Sequence, residues 1–221
     1  MEKYRHYIDG EFVEPSSGMY FESFDPYLGE PWALVARGDA ADVDRAVGAA
    51  HRAFTDGAWP GLNASQRGAL LRRLGDLVAR EAKRLAEIEV RDNGKLIAEM
   101  AAQLNYVPNW YYYFGGLADK IEGAVIPIDK KGYFNFTRLE PLGVCVAICP
   151  WNSPLLILAF KLAPALAAGN TVVVKPSEFT SVSTLEFMKL IEEAGFPPGV
   201  VNVVTGFGKD VGMPLVEHPR V

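Results

Sequence analysis

The chain has few residues of the kinds that bind transition metals or form disulfides. It contains two cysteines and three histidines in 221 residues, and the histidines are dispersed, at His6, His51 and His218. No histidine lies near either cysteine in the sequence, so no metal site is expected. Cys145 and Cys149 occur in one apolar run that predicts a strand, where residues four apart are separated by roughly 13 Å, beyond disulfide reach. We expect both to be buried structural thiols.

The chain also lacks a long apolar segment and an excess of positive charge. No run of about 18 or more apolar residues occurs, and Met1 to Arg5 is charged rather than followed by a signal-type apolar run. We therefore expect a cytoplasmic protein with no membrane association. The net charge of −5, with basic residues scattered among acidic ones, argues against nucleic acid as a partner. What the chain has is 49% hydrophobic residues, enough for a sizeable globular core.

Two segments have the pattern of β-hairpins. Tyr4 to Val13 predicts a short hairpin with its turn at Asp9-Gly10, at a sheet edge or a dimer contact. Residues 123–140 contain two β-prone runs, Ala124 to Ile128 and Tyr133 to Leu139, on either side of a polar turn. The second run alternates as expected for a ribbon that stands off the body of the protein. Such a ribbon more often contacts another subunit than a ligand, so it is expected to be an oligomerisation hairpin.

Between these segments the apolar spacing is helical. One helix begins after Asp39 as capping residue, and a longer one ends at Asn93-Gly94, where glycine tolerates the left-handed conformation. A third helical stretch, Lys95 to Ile121, contains Pro108, which is expected to kink it. This stretch also carries a run of aromatic residues, which fits either packing against neighbouring helices, the more common role, or the lining of a substrate tunnel. The run is Trp110, Tyr111, Tyr112, Tyr113 and Phe114.

From Gly143 onward, predicted strands and helices alternate strictly. Continuous Val and Ile runs indicate strands covered on both faces, which predicts a parallel, Rossmann-type sheet. The fold class is therefore α/β, with an N-terminal helical region and a protruding β-hairpin. Residues 1–122 and 141–221 are expected to form a cofactor-binding domain. The alternating elements are Gly143 to Cys149, Leu155 to Ala168, Thr171 to Lys175, Ser181 to Ala194, Val200 to Thr205 and a last helix from Lys209.

Three motifs follow the ends of the predicted strands, where ligands bind in open α/β sheets. Asn152, after the first strand, offers two amide N–H donors to an oxygen that becomes negative in a transition state; a helix-capping role fits its position equally well. Gly208 and Gly212, after the third strand, either let backbone approach a phosphate or serve tight packing. This glycine pattern departs from the usual dinucleotide fingerprint and is a weak signal.

The second strand ends in Lys175-Pro176-Ser177-Glu178. A nucleotide laid across the sheet would place its ribose here, within reach of the Lys175 ammonium and the Glu178 carboxylate. A carboxylate accepts from a 2′-hydroxyl and repels a 2′-phosphate, so NAD is favoured over NADP if Glu178 makes this contact. The alternative is a surface Lys/Glu pair at the start of a helix.

In their order and spacing these motifs resemble those of the aldehyde dehydrogenase superfamily. The resemblance covers essentially the whole chain but only the N-terminal half of a family member. It rests on Arg91-Asp92-Asn93-Gly94-Lys95, Pro141-Leu142-Gly143-Val144, Trp151-Asn152-Ser153-Pro154-Leu155-Leu156, the run from Lys161 to Asn170, and Pro197-Pro198-Gly199-Val200-Val201-Asn202-Val203-Val204.

The resemblance implies an enzyme that oxidises an aldehyde through a thiohemiacetal on a cysteine and passes hydride to the nicotinamide of NAD. On this mapping Asn152 stabilises the oxyanion and Lys161 resembles a lysine of the proton relay. The small-molecule aldehyde would pass residues Ser153, Ile157 and Phe160, and the serine makes the mouth less cramped or more polar. A homo-oligomer, dimer or tetramer, is implied. The cofactor-binding residues are Ile148, Pro150, Trp151, Asn152, Lys175, Pro176, Ser177, Glu178, Gly208 and Gly212.

The family's general-base glutamate and catalytic cysteine fall in a part of the family sequence that this chain does not contain. Cys149 is not expected to replace the nucleophile, because nothing in the sequence offers it an activating base. The catalytic domain is therefore expected to lie outside this chain, which alone should not turn over aldehydes. Two alternatives remain: a truncated, non-catalytic module for nucleotide binding or subunit association, and a related acyl-CoA or acyl-phosphate reductase.

Overall fold

The structure, a computed structural model, describes residues 1–221 as an α/β fold. The strands are β1 (Glu2–Tyr4), β2 (His6–Ile8), β3 (Glu11–Val13), β4 (Tyr20–Asp25), β5 (Glu30–Ala36), β6 (Val125–Ile126), β7 (Asn135–Phe136), β8 (Val144–Ile148), β9 (Thr171–Lys175) and β10 (Val201–Val203). The α-helices are α1 (Ala40–Thr55), α2 (Ala64–Asn93), α3 (Ile97–Tyr106), α4 (Pro108–Leu117), α5 (Pro154–Ala167), α6 (Val182–Ala194) and α7 (Met213–Val216). A π-helical turn, Gly208–Gly212, precedes α7.

The main sheet has the strand order β3-β2-β10-β9-β8. Its strands β8, β9 and β10 are parallel, and Val173 of the middle strand is paired with Val146 and Asn202. Helices α1, α5 and α6 pack against these strands. The predicted α/β fold with a Rossmann-type parallel unit is therefore confirmed, although the sheet as a whole is mixed, because β2 joins β10 in antiparallel orientation.

The N-terminal hairpin forms one edge of this sheet, as predicted. Strands β2 and β3 pair across the turn at Asp9-Gly10, where Asp9 has a φ of 57°. The predicted start at Tyr4 was wrong, because β1 leaves the hairpin and pairs with β5 in a second sheet of order β1-β5-β4. The consecutive strands β1 and β2 therefore belong to different sheets.

The helical predictions for the first half are confirmed with one change. The Asp39 carboxylate accepts from the backbone N–H groups of Ala41 and Asp42 at the start of α1. Helix α2 ends at Gly94, which has a φ of 71°. Pro108 does not kink one helix but starts a new one, because proline tolerates the first helical position, where no backbone donor is needed.

Strand β8 is covered on both faces but exposed at its end. Helices α1 and α5 pack against it, and Val144 and Ala147 are buried in two different apolar clusters, so both faces are covered as predicted. It is nevertheless an edge strand of the main sheet, and Ile148 at its end is 40% exposed. Cys145 is half-buried and Cys149, just beyond the strand, is buried; both are free thiols. An apolar run alone does not distinguish an edge strand from a central one.

The hairpin at residues 123–140 protrudes, as predicted, but its strands are short. Only Val125–Ile126 and Asn135–Phe136 are paired, since the predicted runs extended several residues further. The apolar side chains of this hairpin are solvent-exposed, among them Val125, Phe134 and Phe136. The body of the protein is instead built around α2, which packs against α3, α4, α5 and α6. None of the helices combines the length and the apolarity needed to cross a bilayer.

Candidate active site

The carboxyl ends of β8 and β9 and the turn after β10 line one open cavity of about 460 Å³. Most of the predicted cofactor-binding residues lie on its wall, together with Cys149 and with two residues that the sequence did not point to, Met213 and Val216. The predicted residues that line it are Ile148, Pro150, Lys175, Ser177, Glu178, Gly208 and Gly212. Asn152 and the buried Pro176 do not line the cavity, and Trp151 instead borders a neighbouring aromatic cavity that also includes Glu178.

Lys175 and Glu178 form an ion pair at the end of β9. The Lys175 ammonium donates to the Pro176 carbonyl at 2.9 Å and to a Glu178 carboxylate oxygen at 3.4 Å. Lys175 is only 3% exposed, whereas the Glu178 side chain is 29% exposed. The pair is therefore not a surface pair: Glu178 faces the cavity mouth while Lys175 supports it from inside.

The glycine turn after β10 is shaped by a third glycine, Gly206, more than by the two predicted ones. Gly206 has a φ of 143°, and a Cβ there would lie 2.7 Å from the Val211 side chain. A Cβ on Gly208 would meet nothing within 4 Å, so this position leaves space in front of the turn. Gly212 packs beside Lys175, whose Cδ would lie 3.7 Å from an added Cβ. Neither position requires glycine for lack of space, so the two roles expected for Gly208 and Gly212 stay predictions.

Asn152 lies in the bend between β8 and α5, and its side chain is exposed. Its amide makes no hydrogen bond within the protein, and α5 has no cap from a neighbouring side chain, so the capping alternative is not observed. The backbone is held by Ser153, whose hydroxyl donates to the Asn152 carbonyl at 2.8 Å. The Asn152 amide is therefore exposed and unpaired, in the bend that follows the cavity residue Pro150.

Two lysines lie around Cys149. Lys161 of α5 donates to the Ile148 carbonyl at the end of β8, and Lys175 approaches from β9. Burial raises the pKa of the Cys149 thiol to about 11, although both ammonium groups act to lower it. Cys149 is 4% exposed. Because the thiolate is the reactive form, a raised pKa is unfavourable for a nucleophile, in line with the expectation that Cys149 does not serve as one.

The residues predicted to line the aldehyde path are the residue that precedes α5, Ser153, and two residues of its first two turns, Ile157 and Phe160. Ser153 is buried, Ile157 is half-buried and Phe160 is partly exposed. The ring of Phe160 packs at 4.3 Å, between centroids, from that of Trp110 in the aromatic run of α4. Trp110 also borders a cavity of about 480 Å³ with Tyr106, Asn109 and Tyr113. Thus the aromatic run both packs and lines a cavity.

Two buried carboxylates near the site were not predicted. Glu89 and Asp92 lie in the last turns of α2, where the oxygens of Glu89 and Asp92 accept backbone N–H groups at the starts of α5 and α6. A signal for them was present in the sequence, since acidic residues are unfavourable at the C-terminal end of a helix. Their partners lie far along the chain and were not identifiable from the local pattern.

The sequence profile of the Aldehyde dehydrogenase family matches residues 12–221. The chain belongs to the aldehyde dehydrogenase family. It is 51% identical over 221 residues to (Z)-2-((N-methylformamido)methylene)-5-hydroxybutyrolactone dehydrogenase of Acinetobacter baylyi, covering all of this chain and 45% of that protein. It is 47% identical over 215 residues to hydroxyisobutyraldehyde dehydrogenase of Mycolicibacterium austroafricanum, covering 97% of this chain and 42% of that protein.

Solved structures of aldehyde dehydrogenases have the same fold. The NAD⁺ complex of the Bacillus cereus enzyme matches with a TM-score of 0.95 and 40% identity, over 98% of this chain and 44% of that one. Betaine aldehyde dehydrogenase of Staphylococcus aureus, as a point mutant in complex with NAD⁺, gives a TM-score of 0.95 and 39% identity over the same shares. The chain thus spans less than half the length of the aldehyde dehydrogenases it matches.

Proposed function

We propose that this chain is the cofactor-binding part of a longer, NAD-preferring enzyme that oxidises an aldehyde to a carboxylic acid through a cysteine thiohemiacetal. The observation that carries the proposal is the cavity at the strand ends, where the Lys175–Glu178 pair and the open turn at Gly208 meet. In this proposal residues 1–122 and 141–221 form the cofactor-binding domain, and the catalytic domain lies outside the chain.

The residues present fit a dinucleotide. Glu178 offers a carboxylate acceptor at the cavity mouth for ribose hydroxyls, and Lys175 holds this carboxylate in place. The negative charge of Glu178 disfavours a 2′-phosphate, which is why NAD is preferred over NADP. Gly208 leaves room for a pyrophosphate near the turn. When bound, NAD supplies the hydride acceptor of the reaction.

Asn152 and Lys161 are the catalytic residues that this chain contributes. The Asn152 amide has both N–H donors free and can stabilise an oxyanion at the aldehyde carbon without first breaking a hydrogen bond. Lys161 carries protons on its Nζ beside the Ile148 carbonyl, at the same strand end. Ser153, Ile157 and Phe160 line the aldehyde path, where the small serine leaves the mouth less cramped.

The nucleophile comes from elsewhere in the enzyme. Burial raises the pKa values of Cys145 and Cys149, and neither thiol has a general base as hydrogen-bond partner. The chain alone is therefore inactive toward aldehydes, while it keeps the groups that hold the cofactor.

The protruding hairpin is the proposed oligomerisation element. Its exposed apolar side chains would be covered by a second copy in a dimer or tetramer. Phe136 lies in one of the paired strands, so Phe136→Asp should reduce the oligomeric state of the intact gene product, measured by light scattering. An unchanged mass in solution would remove the hairpin from the subunit interface.

The decisive experiment uses the product of the intact gene, purified from its natural source. Its mass is measured first, and the formation of NADH at 340 nm with short aldehydes is measured next. A mass near twice the 24.2 kDa of this chain, with aldehyde-dependent reduction of NAD, supports the proposal. A mass of 24.2 kDa, with NAD binding and no turnover, favours the non-catalytic nucleotide-binding module instead. CoA-dependent acylation would indicate the reductase alternative.

A further inference from the structure

Glu89 connects the end of α2 to the start of α5. Its side chain is fully buried, and its Oε1 accepts from the Leu155 backbone N–H at 2.8 Å and from the Ser183 hydroxyl at 3.5 Å. Leu155 is the second residue of α5 and lies three positions after Asn152. The only side-chain contact that satisfies a backbone donor at the start of α5 therefore comes from a residue 66 positions away in the sequence.

This position is unfavourable for a carboxyl group by itself. Glu89 lies near the negative, C-terminal end of its own helix, it is removed from water, and its Oε2 has no hydrogen-bond partner. What offsets the cost is the positive, N-terminal end of α5, which points a backbone N–H at the other oxygen. The contact thus joins the end of α2 to the start of α5. It gives the buried carboxyl group a donor and the Leu155 N–H an acceptor.

A local cap was available and is not used. Ser153 occupies the capping position of α5, and serine is a favoured residue there, but its hydroxyl donates to the Asn152 carbonyl instead. A local cap would stabilise α5 without fixing it relative to any other element. The long-range cap ties the start of α5 to α2, and Ser153, next to that start, donates to the Asn152 carbonyl.

We propose that Glu89 is a positioning residue for Asn152. The inference rests on the proposed function, in which the Asn152 amide meets the oxyanion. The carboxyl group of Glu89 touches neither substrate nor cofactor: it holds the start of α5 against α2 so that the bend from Pro150 to Ser153 keeps one conformation. A small displacement of an oxyanion donor is enough to lower turnover, because the stabilisation depends on its placement.

The test compares two substitutions of nearly equal size in the intact gene product. Glu89→Gln keeps an oxygen that can accept from the Leu155 N–H, whereas Glu89→Met fills the same space without an acceptor. We expect Glu89→Met to lower kcat about tenfold to hundredfold with KM for NAD unchanged, and Glu89→Gln to stay within about threefold of the parent enzyme. Met is chosen over Ala because a hydrophobic residue of similar volume avoids a cavity and an unpaired charge.

Asp39→Ala is the matched control, since it removes another acidic helix cap, that of α1, outside the proposed site. It should lower the free energy of unfolding by about 1 kcal/mol and leave kcat unchanged. If Glu89→Met lowers stability as Asp39→Ala does and kcat stays the same, the carboxyl group only stabilises the fold and the inference is wrong. A rise in KM for NAD with unchanged kcat would also contradict it.

A second readout separates this inference from the proposed function. In the intact gene product, the side-chain NH₂ resonances of Asn152 and the hydrogen exchange of the amides of Leu155 to Leu158 report the start of α5 without any turnover. Glu89→Met should shift the Asn152 resonances and speed this exchange, while Glu89→Gln and Asp39→Ala should not. Absence of these changes overturns the positioning role. Their presence in a protein whose parent enzyme lacks aldehyde turnover supports the positioning role and refutes the proposed function instead.

Discussion

His6 Nε2 lies 3.5 Å from a carboxylate oxygen of Asp42, and both side chains are fully buried. The other ring nitrogen, Nδ1, accepts from the Thr205 backbone N–H at 3.2 Å, so Nε2 carries the proton and faces the carboxylate. Burial alone would raise the pKa of Asp42, but His6 and the groups of Ser16 hold it below its usual value. This pair connects the N-terminal hairpin to α1 and to the end of β10, from which the glycine turn of the candidate site starts.

Replacing His6 with Ala should destabilise the chain by about 2 to 4 kcal/mol, because it removes one donor from the buried Asp42 carboxylate, which keeps its bonds to Ser16, and leaves a cavity. His51→Ala is the control, since the His51 side chain makes no hydrogen bond; it should change stability by less than about 0.5 kcal/mol. Urea unfolding followed by circular dichroism measures both. Equal midpoints for the two variants would show that the His6–Asp42 contact does not stabilise the fold.

Replacing Glu178 with Ser should weaken NAD binding and reduce the preference for NAD over NADP. The ratio of the dissociation constants for NADP and NAD should change by about tenfold. The Lys175 ammonium keeps the Pro176 carbonyl as acceptor, so the fold should tolerate the change. Calorimetry on the 221-residue chain gives both constants. Glu87→Ser, on the exposed face of α2, is the charge-matched control. An unchanged ratio would remove Glu178 from the ribose site.

Replacing Asn152 with Ala should lower kcat of the intact gene product by about 10² to 10³ with little change in KM for NAD. Because the Asn152 side chain makes no hydrogen bond within the protein, the free energy of unfolding should change by less than about 0.5 kcal/mol. Steady-state kinetics and urea unfolding measure the two effects. Asn105→Ala, an exposed asparagine on α3, controls for loss of an amide. Normal turnover by the Asn152 variant would exclude the oxyanion role.

Burial raises the pKa of Glu89 to about 7 and that of Asp92 to about 7. Because these values exceed the unfolded ones of about 4.3 and 3.9, the folded state retains protons that the unfolded state has lost. The stability that the two carboxyl groups contribute is therefore complete below about pH 4 and is lost as the pH rises to 7. The loss is at most about 1.4 kcal/mol per pH unit for each group.

Urea unfolding at pH 5 and at pH 7 tests this dependence. The double variant Glu89→Gln, Asp92→Asn should lose less stability between the two pH values than the parent chain, since it has no carboxyl groups to deprotonate at these sites. Titrations elsewhere in the protein are shared by both chains and cancel in the comparison. The same loss in both chains would show that the two groups titrate near their unfolded values.

The local sequence pattern predicted those elements correctly whose structure depends only on their own residues. The end of α2 at Gly94 and the boundaries of β9 follow from a left-handed glycine and an uninterrupted Val run. The exposure at the end of β8 did not follow, because burial of a strand depends on its neighbours in the sheet. The same limit applies to β2, whose pairing with β10 joins residues almost 200 positions apart, such as Tyr7 and Val203.

The sequence by itself determined the alternation of strands and helices after Gly143, and therefore that Asn152, Glu178 and Gly208 follow neighbouring strand ends. It also determined the family, since the motifs occur in a characteristic order. Only the tertiary structure decided that the Asn152 amide is free and that Glu89 caps α5 in place of Ser153. The physical reason is that a buried carboxyl group requires donors, but nothing local specifies which distant helix end supplies them.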